Sequence, residues 1–182
     1  MRNALFFMLV SLDGYFEGPD GGIDWHRVDE EFNDFAIEQL DTVGTILFGR
    51  VTYQGMAGYW PTVPAGDPIA DRMNTMPKIV FSRTLDKAEW NNTRLIKDNV
   101  GNEVTKLKQL PGKDLIIFGS SNLAASFAEM GLIDEYRIMV SPVVLGGGRS
   151  LFKGLHHHLP LKLVSTRTFG NGNVLLSYQP ER

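Results

Sequence analysis

Short apolar runs that stop abruptly at a small residue and a polar one recur along this chain. Ile46-Leu47-Phe48 ends at Gly49-Arg50, Ile79-Val80-Phe81 at Ser82-Arg83, and Leu115-Ile116-Ile117-Phe118 at Gly119-Ser120. The runs are too short for helices, and they are apolar at consecutive rather than alternate positions. They predict strands covered on both faces, as in a parallel sheet. After each run the apolar spacing lengthens or gives way to polar sequence, so strands alternate with helices. That pattern predicts an α/β fold, a largely parallel sheet with helices on both sides.

The remaining elements emerge from the same reading. "NALFFMLVS" (3–11) predicts a first buried strand, and the Gly/Pro/Asp-rich "EGPDGGID" (17–24) a loop. Residues 29–43 carry Phe32, Phe35, Ala36, Leu40 and Val43 at helical spacing, with Asp29, Glu30 and Glu31 at the start, where the helix dipole favours acids. "RVTYQGM" (50–56) opens a short helix, and the prolines between 61 and 68 predict irregular chain. "TRLIKD" (93–98) reads as a short strand and "NEVTKLKQL" (102–110) as a helix. "SSNLAASFAEMG" (120–131) reads as a helix with Leu123, Phe127 and Met130 buried and Gly131 as its stop. "EYRIMVSPVVLG" (135–146) predicts a strand broken near Pro142. "LKLVSTRTF" (161–169) and "NVLLSYQ" (173–179) form a closing hairpin, an antiparallel edge across "GNGN".

Composition bounds what such a chain does. Its 182 residues with 43% apolar content suit one domain spanning 1–182. A net charge of −3 gives no general pull toward nucleic acid or an anionic membrane. The absence of cysteine removes thiolate nucleophiles and thiolate metal sites, and it leaves a cytoplasmic location unopposed. His156, His157 and His158 are consecutive and cannot all face one ion from a regular element, so no metal site is expected. The run Ala4–Val10 lacks a small-residue cleavage pattern and reads as a strand rather than a signal core, and no apolar stretch is long enough for a membrane span.

The strand-to-helix junctions carry the chemistry. In open α/β sheets ligands gather beyond the carboxyl ends of the strands, where helix N-termini offer unpaired N–H groups to phosphate. Gly49 permits close backbone approach, Arg50 supplies a permanent charge in a fork that matches phosphate oxygens, and Thr52 adds a hydroxyl. Ser82, Arg83 and Thr84 repeat this chemistry, and Gly119, Ser120 and Ser121 repeat the anion-binding turn. A ligand with phosphates at separate points, such as a dinucleotide, accounts for all of them together. Simple helix capping is the competing account of any single junction. No G-x-G-x-x-G comes after a strand.

The chain resembles the dihydrofolate reductase fold family, and within it the reductase domain of bacterial riboflavin biosynthesis. The resemblance runs through "SLDGYFEGPDGGIDW" (11–25), "ILFGRVTYQGM" (46–56), "KIVFSRTL" (78–85) and "LIIFGSSNLAASFAEMGLIDEYRIMVSPVVLGGGRSLF" (115–152). It implies a three-layer fold with a mixed, mostly parallel sheet, and NADPH as hydride donor to a small molecule. Carried over by motif, Gly49, Arg50 and Thr52 meet the cofactor phosphates. Ser82 and Arg83 hold the adenosine ribose end, with Arg83 favouring the 2′-phosphate. Gly119, Ser120, Ser121, Asn122 and Leu123 cradle the pyrophosphate. Gly119-Ser120 stands where dihydrofolate reductases have Gly-Gly. A homodimer is implied too, with the 135–145 strand as candidate interface.

On the substrate side, "SLDGYFEGPDGGIDW" is the expected lid. Asp13 and Trp25 are candidates for the catalytic surroundings, against turn closure by Asp13 and plain packing by Trp25. Asp29, Glu30 and Asp34 compete for the single carboxylate that the family keeps early in this helix, and Glu30 is the candidate carried forward. The glycine loop "GGGR" (146–149) and Arg149 are weaker phosphate candidates. The expected activity is NADPH-dependent reduction of a small conjugated C=N or C=O in a pterin-, pyrimidine- or ribosylamine-like molecule. The alternative is a nucleotide-binding module that keeps the NADP(H) cleft without chemistry. No G-x-S-x-G or G-x-x-x-x-G-K-[ST] sequence supports acyl or phosphoryl transfer.

Overall fold

The computed structural model describes residues 1–181. Along the chain come β1 (Ala4–Ser11), β2 (Tyr15–Glu17), α1 (Glu30–Thr42), β3 (Val43–Gly49), α2 (Arg50–Tyr59), α3 (Pro68–Thr75), β4 (Lys78–Phe81), β5 (Thr93–Ile96), α4 (Val100–Gln109) and β6 (Asp114–Ile117). After these come α5 (Ser121–Glu129), β7 (Glu135–Ser141), β8 (Arg149–Ser150), β9 (Leu161–Thr168) and β10 (Val174–Pro180).

Eight strands form one sheet in the order β5-β4-β3-β6-β1-β7-β10-β9. The first six run parallel, and β10 and β9 run antiparallel at one edge. This is the mixed three-layer α/β architecture expected from the sequence. The apolar runs bury both faces because each strand alternates between two cores. On β1, Ala4, Phe6 and Val10 face one cluster with Val104, Phe127 and Ile133. Leu5, Phe7 and Leu9 face the other, with Phe35, Tyr53, Met73 and Trp90. At about 25 cal/mol per Å² of apolar surface, each fully buried Phe or Leu stabilises the fold by roughly 1.5–3 kcal/mol.

Several details differ from the sequence reading. The segment after Thr62 is not wholly irregular: Asp67 accepts from Ile69 N (3.0 Å) and Ala70 N (2.8 Å), and Pro68 occupies the first turn, so α3 starts there. Met130 is exposed, not buried. The inner face of α5 is Ala124, Ala125, Phe127 and Ala128, whose small side chains let the helix lie close to the sheet. Gly131 does end that helix, at φ +64°, with Leu132 N donating to Phe127 O and Gly131 N to Ala128 O. Within 135–145, the candidate interface, β7 ends at Ser141 and is hydrogen-bonded to β1 on one side and β10 on the other. It has no free backbone with which to pair a second copy, and the sheet's open edges belong to β5 and β9.

Candidate cofactor and substrate cleft

Because β1, β3, β4, β5, β6 and β7 are parallel, their carboxyl ends share one edge of the sheet. The strand order sets β4, β3 and β6 side by side, so the three junctions of the sequence become one continuous rim.

The centre of the rim is tightly joined. Gly49 N donates to Gly119 O at 3.0 Å. A Cβ on Gly49 would stand 2.6 Å from Ser120 Oγ and 3.1 Å from Ser120 N, so no larger residue fits without displacing the neighbouring turn. Gly119 has φ +100°, and a Cβ there would lie 3.0 Å from Thr52 Oγ1 and 3.2 Å from Met8 Cε. The Gly119-Ser120 peptide is cis. Gly49, Thr52, Gly119 and Ser120 are thus neighbours. Gly49 caps α2 and Ser120 caps α5, and neither helix has a side-chain hydrogen bond at its cap. Both helix starts therefore keep first-turn N–H groups available at one place, which suits a pyrophosphate. Ser121 is buried in the first turn of α5, Asn122 is exposed, and Leu123 packs on the core.

The flanks carry the charge. Arg50 is exposed at the start of α2, with Nη1 donating to Gln54 Oε1 at 3.2 Å. Ser82 spends its hydroxyl on its own turn, accepting from Thr84 N (3.2 Å) and Leu85 N (3.0 Å). Its backbone N donates to Ile96 O. Arg83 stands free of the surface, 86% exposed.

The lid residues occupy the other end. Asp13 lies just beyond β1 and is heavily engaged. It accepts from Ser11 Oγ (2.7 Å), Leu145 N (3.1 Å) and Gly146 N (2.8 Å). The Ser11 hydroxyl and the two backbone N–H groups hold its carboxyl down to about 2. Trp25 is half-buried, its Nε1 donating to Gly22 O at 3.3 Å and its ring edge-on to His26 at 4.4 Å. The short β2–β8 ribbon ties the lid to the glycine loop, and a Cβ on Gly148 would overlap Glu17 O. Arg149 pairs with Glu17 at 2.8 Å and lies over Phe16, so it belongs to this clasp.

The acidic cluster resolves into separate jobs. Asp29 is the N-cap of α1, accepting from Phe32 N at 2.9 Å. Glu30 and Asp34 are exposed. Glu31 is half-buried and accepts from Gly170 N at 2.8 Å. Glu31 is thus the acid of this turn that faces protein, a residue the sequence reading did not select. Nothing in the local sequence separates it from Glu30 except helical phase relative to Phe35.

The sequence reading also missed a polar corner beside it. Ser141 is in register with Ser11 across β1 and β7, and Asn173 immediately precedes β10, one step before the Val174–Val140 pair. Asn173 Nδ2 donates to Arg27 O, next to His26. Ser141 Oγ, Asn173 Oδ1 and His26 Nε2 are the buried side-chain polar atoms without a partner among the described residues. Burial lowers the His26 imidazole to about 4, so it is neutral near pH 7. Buried polar atoms left unpaired are costly, and three in one corner mark a place suited to a polar ligand edge or ordered water.

A further groove lies elsewhere. A groove of about 1080 Å³ lies at the opposite edge of the sheet, lined by Lys78, Trp90, Arg94, Glu103 and Lys106. Among the described residues no group of His, Cys, Asp or Glu is placed to hold a metal, and no helix is long and apolar enough to cross a membrane.

Comparison with known proteins identifies the fold and the family. The chain is 38% identical to the uncharacterized protein YyaP of Bacillus subtilis (strain 168), covering 97% of this chain and 94% of that one. A pyrimidine reductase-like protein from Corynebacterium diphtheriae superposes with a TM-score of 0.72 at 13% identity, covering 100% of this chain and 92% of the other. Dihydrofolate reductase from Enterococcus faecalis, complexed with NADP(H) and RAB-propyl, superposes with a TM-score of 0.66 at 15% identity, covering 99% and 97%. At such identities these two likenesses establish the fold alone. The family model for the RibD C-terminal domain matches residues 3–175, and the chain belongs to that family.

Proposed function

We propose that the protein is an NADPH-dependent reductase that passes hydride to a small conjugated C=N or C=O, in a pterin-, pyrimidine- or ribosylamine-like molecule. The observation that carries this reading is the joined pair of junctions, where Gly49 and Gly119 leave no room for a side chain and two helix starts lack side-chain caps. Capping alone does not require that exclusion of Cβ atoms. The missing Cβ atoms let the two turns pack on each other, and this brings two helix starts without side-chain caps to one place, which suits a phosphate. Membership in a reductase-domain family, and the NADP(H) bound to the Enterococcus faecalis structural neighbour, support it.

In this reading the bound nicotinamide supplies the hydride, and the chain positions and shields. Gly49, Thr52 and the turn Gly119–Leu123 hold the pyrophosphate. Arg50 meets the same phosphates from α2. Ser82 shapes the turn that presents Arg83 to the 2′-phosphate. Trp25 walls the acceptor, and Asp13, ionised and fully engaged, staples the lid rather than donating a proton. The polar corner of His26, Ser141 and Asn173, with Glu31 close by in sequence to His26, takes the polar edge of the acceptor, and water supplies the proton. One observation favours the second reading, a cofactor-binding module without chemistry: Asp13, Asp29 and Glu31 all have structural hydrogen bonds, so none is a free acid. Turnover of NADPH with any acceptor excludes that reading.

Arg83 provides the sharpest test. Loss of a charge-assisted contact costs roughly 1.5–3 kcal/mol, so Arg83→Ala is expected to weaken NADPH by about 10- to 100-fold. NADH binding changes little. Titration calorimetry with both cofactors reads this directly, and equal losses for the two would remove Arg83 from the 2′-phosphate site.

A further inference from the structure

Beside Arg83 stands a carboxylate that the reading above does not use. We propose that Asp98 limits how strongly the cleft favours the 2′-phosphorylated cofactor, and so keeps the unphosphorylated dinucleotide usable. The inference rests on the cofactor reading and deepens it.

The geometry is set by the sheet. β4 and β5 run parallel with Phe81 opposite Ile96, and Ser82 N donates to Ile96 O at 3.0 Å. Arg83 and Asp98 therefore leave adjacent strand ends side by side. Arg83 Nε and Asp98 Oδ1 are 3.9 Å apart, and the side chains are 86% and 76% exposed. This is a loose, solvated ion pair that contributes little to stability. Capping does not account for Asp98 either. The N-cap of α4 is Asn99, in the left-handed region at φ 53°, and no side chain bonds there. Among the described residues Asp98 pairs with Arg83 alone, while exposed Lys97 adds a second cation at the same strand end.

Such a pair meets the two cofactors differently. A ribose diol offers two O–H donors, which a carboxylate accepts and a guanidinium does not. A 2′-phosphate brings close to two negative charges, which Arg83 and Lys97 attract and Asp98 repels. Two cations against one anion still favour the phosphate, but by less than the arginine would alone. Two exposed charges a few ångströms apart interact weakly in water, so removing Asp98 is expected to tighten NADPH by about three- to tenfold. Loss of the diol acceptor weakens NADH by a smaller factor.

The test is a titration of the wild-type chain, Asp98→Asn and Arg83→Ala with NADPH and NADH in low-salt buffer. Asparagine keeps the shape, and an unchanged melting temperature confirms that the fold is untouched. The expected result is an NADPH-to-NADH affinity ratio about tenfold higher in Asp98→Asn, with the gain shrinking as salt is raised. A ratio equal to wild type in Asp98→Asn, with Arg83→Ala still lowering NADPH affinity, overturns the role of Asp98 and leaves the cofactor reading standing. Failure of the wild-type chain to bind either dinucleotide overturns both.

Discussion

Gly119→Ala is expected to weaken NADPH binding by at least about 100-fold while leaving a folded protein, the largest single effect on function expected for this chain. Two costs combine. At φ +100° an alanine is strained whatever surrounds it, at roughly 1–3 kcal/mol. Its Cβ would also stand 3.0 Å from Thr52 Oγ1 and 3.2 Å from Met8 Cε, so the turn must move away from α2. That movement breaks the alignment of the two helix starts, since Gly119 O is what Gly49 N grips. Gly66→Ala provides the control. Gly66 has nearly the same φ, +96°, but open space around it. It is expected to lose only the stability that the strain costs, and no affinity. Melting curves separate the two costs, and calorimetry with NADPH reads the second. Wild-type affinity in Gly119→Ala would remove this junction from the site.

The largest expected effect on stability lies at the other edge of the sheet, where the chemistry is not. Lys78, the first residue of β4, is 1% exposed. Its ammonium donates to Met73 O (2.9 Å), Asn74 O (3.3 Å) and Met76 O (2.7 Å), and sits 4.5 Å from the Trp90 ring centroid. It thus gathers the carbonyls at the end of α3 that no backbone N–H can reach. Burial lowers its pKa to about 8. Lys78→Met keeps the length and apolar stem but strands those carbonyls, and the expected loss is about 2–4 kcal/mol. Urea unfolding measures it. NADPH affinity is expected to stay unchanged, because Lys78 lies at the opposite strand end from Gly49 and Gly119. A loss under about 0.5 kcal/mol would show that water takes over the capping.

Local sequence carried the strands and the cofactor rim. Ile46-Leu47-Phe48, Ile79-Val80-Phe81 and Leu115–Ile117 have to be strands covered on both faces, and the turn after each is short enough that Gly49, Ser82 and Gly119 fall on the rim. The strand order that makes those junctions neighbours was not local. The resemblance implied only a mixed, mostly parallel sheet, and the order itself comes from the structure. The failures were also physical. Three prolines masked α3, although Asp67-Pro68 is a helix start in its own right. Met130 faces water because alanines, not large side chains, line the inner face of α5. Glu31, rather than Glu30, faces protein because of a one-residue phase that composition does not reveal. Asp13 bonds to Leu145 and Gly146, and β2 to β8, across more than a hundred residues, a separation that no window of sequence spans. The substrate end is therefore the part least written in local sequence.

The central claim is that the rim of Gly49, Arg83 and Gly119 binds a nicotinamide dinucleotide phosphate. Its most direct test is an equilibrium titration of the wild-type chain with NADPH, monitored by quenching of tryptophan emission and by calorimetry. The expected result is saturable binding of one NADPH per chain, with a dissociation constant on the order of micromolar and tighter than that for NADH. No saturation by NADPH or NADH up to about 1 mM would contradict it, and the junctions would then be helix caps and nothing more.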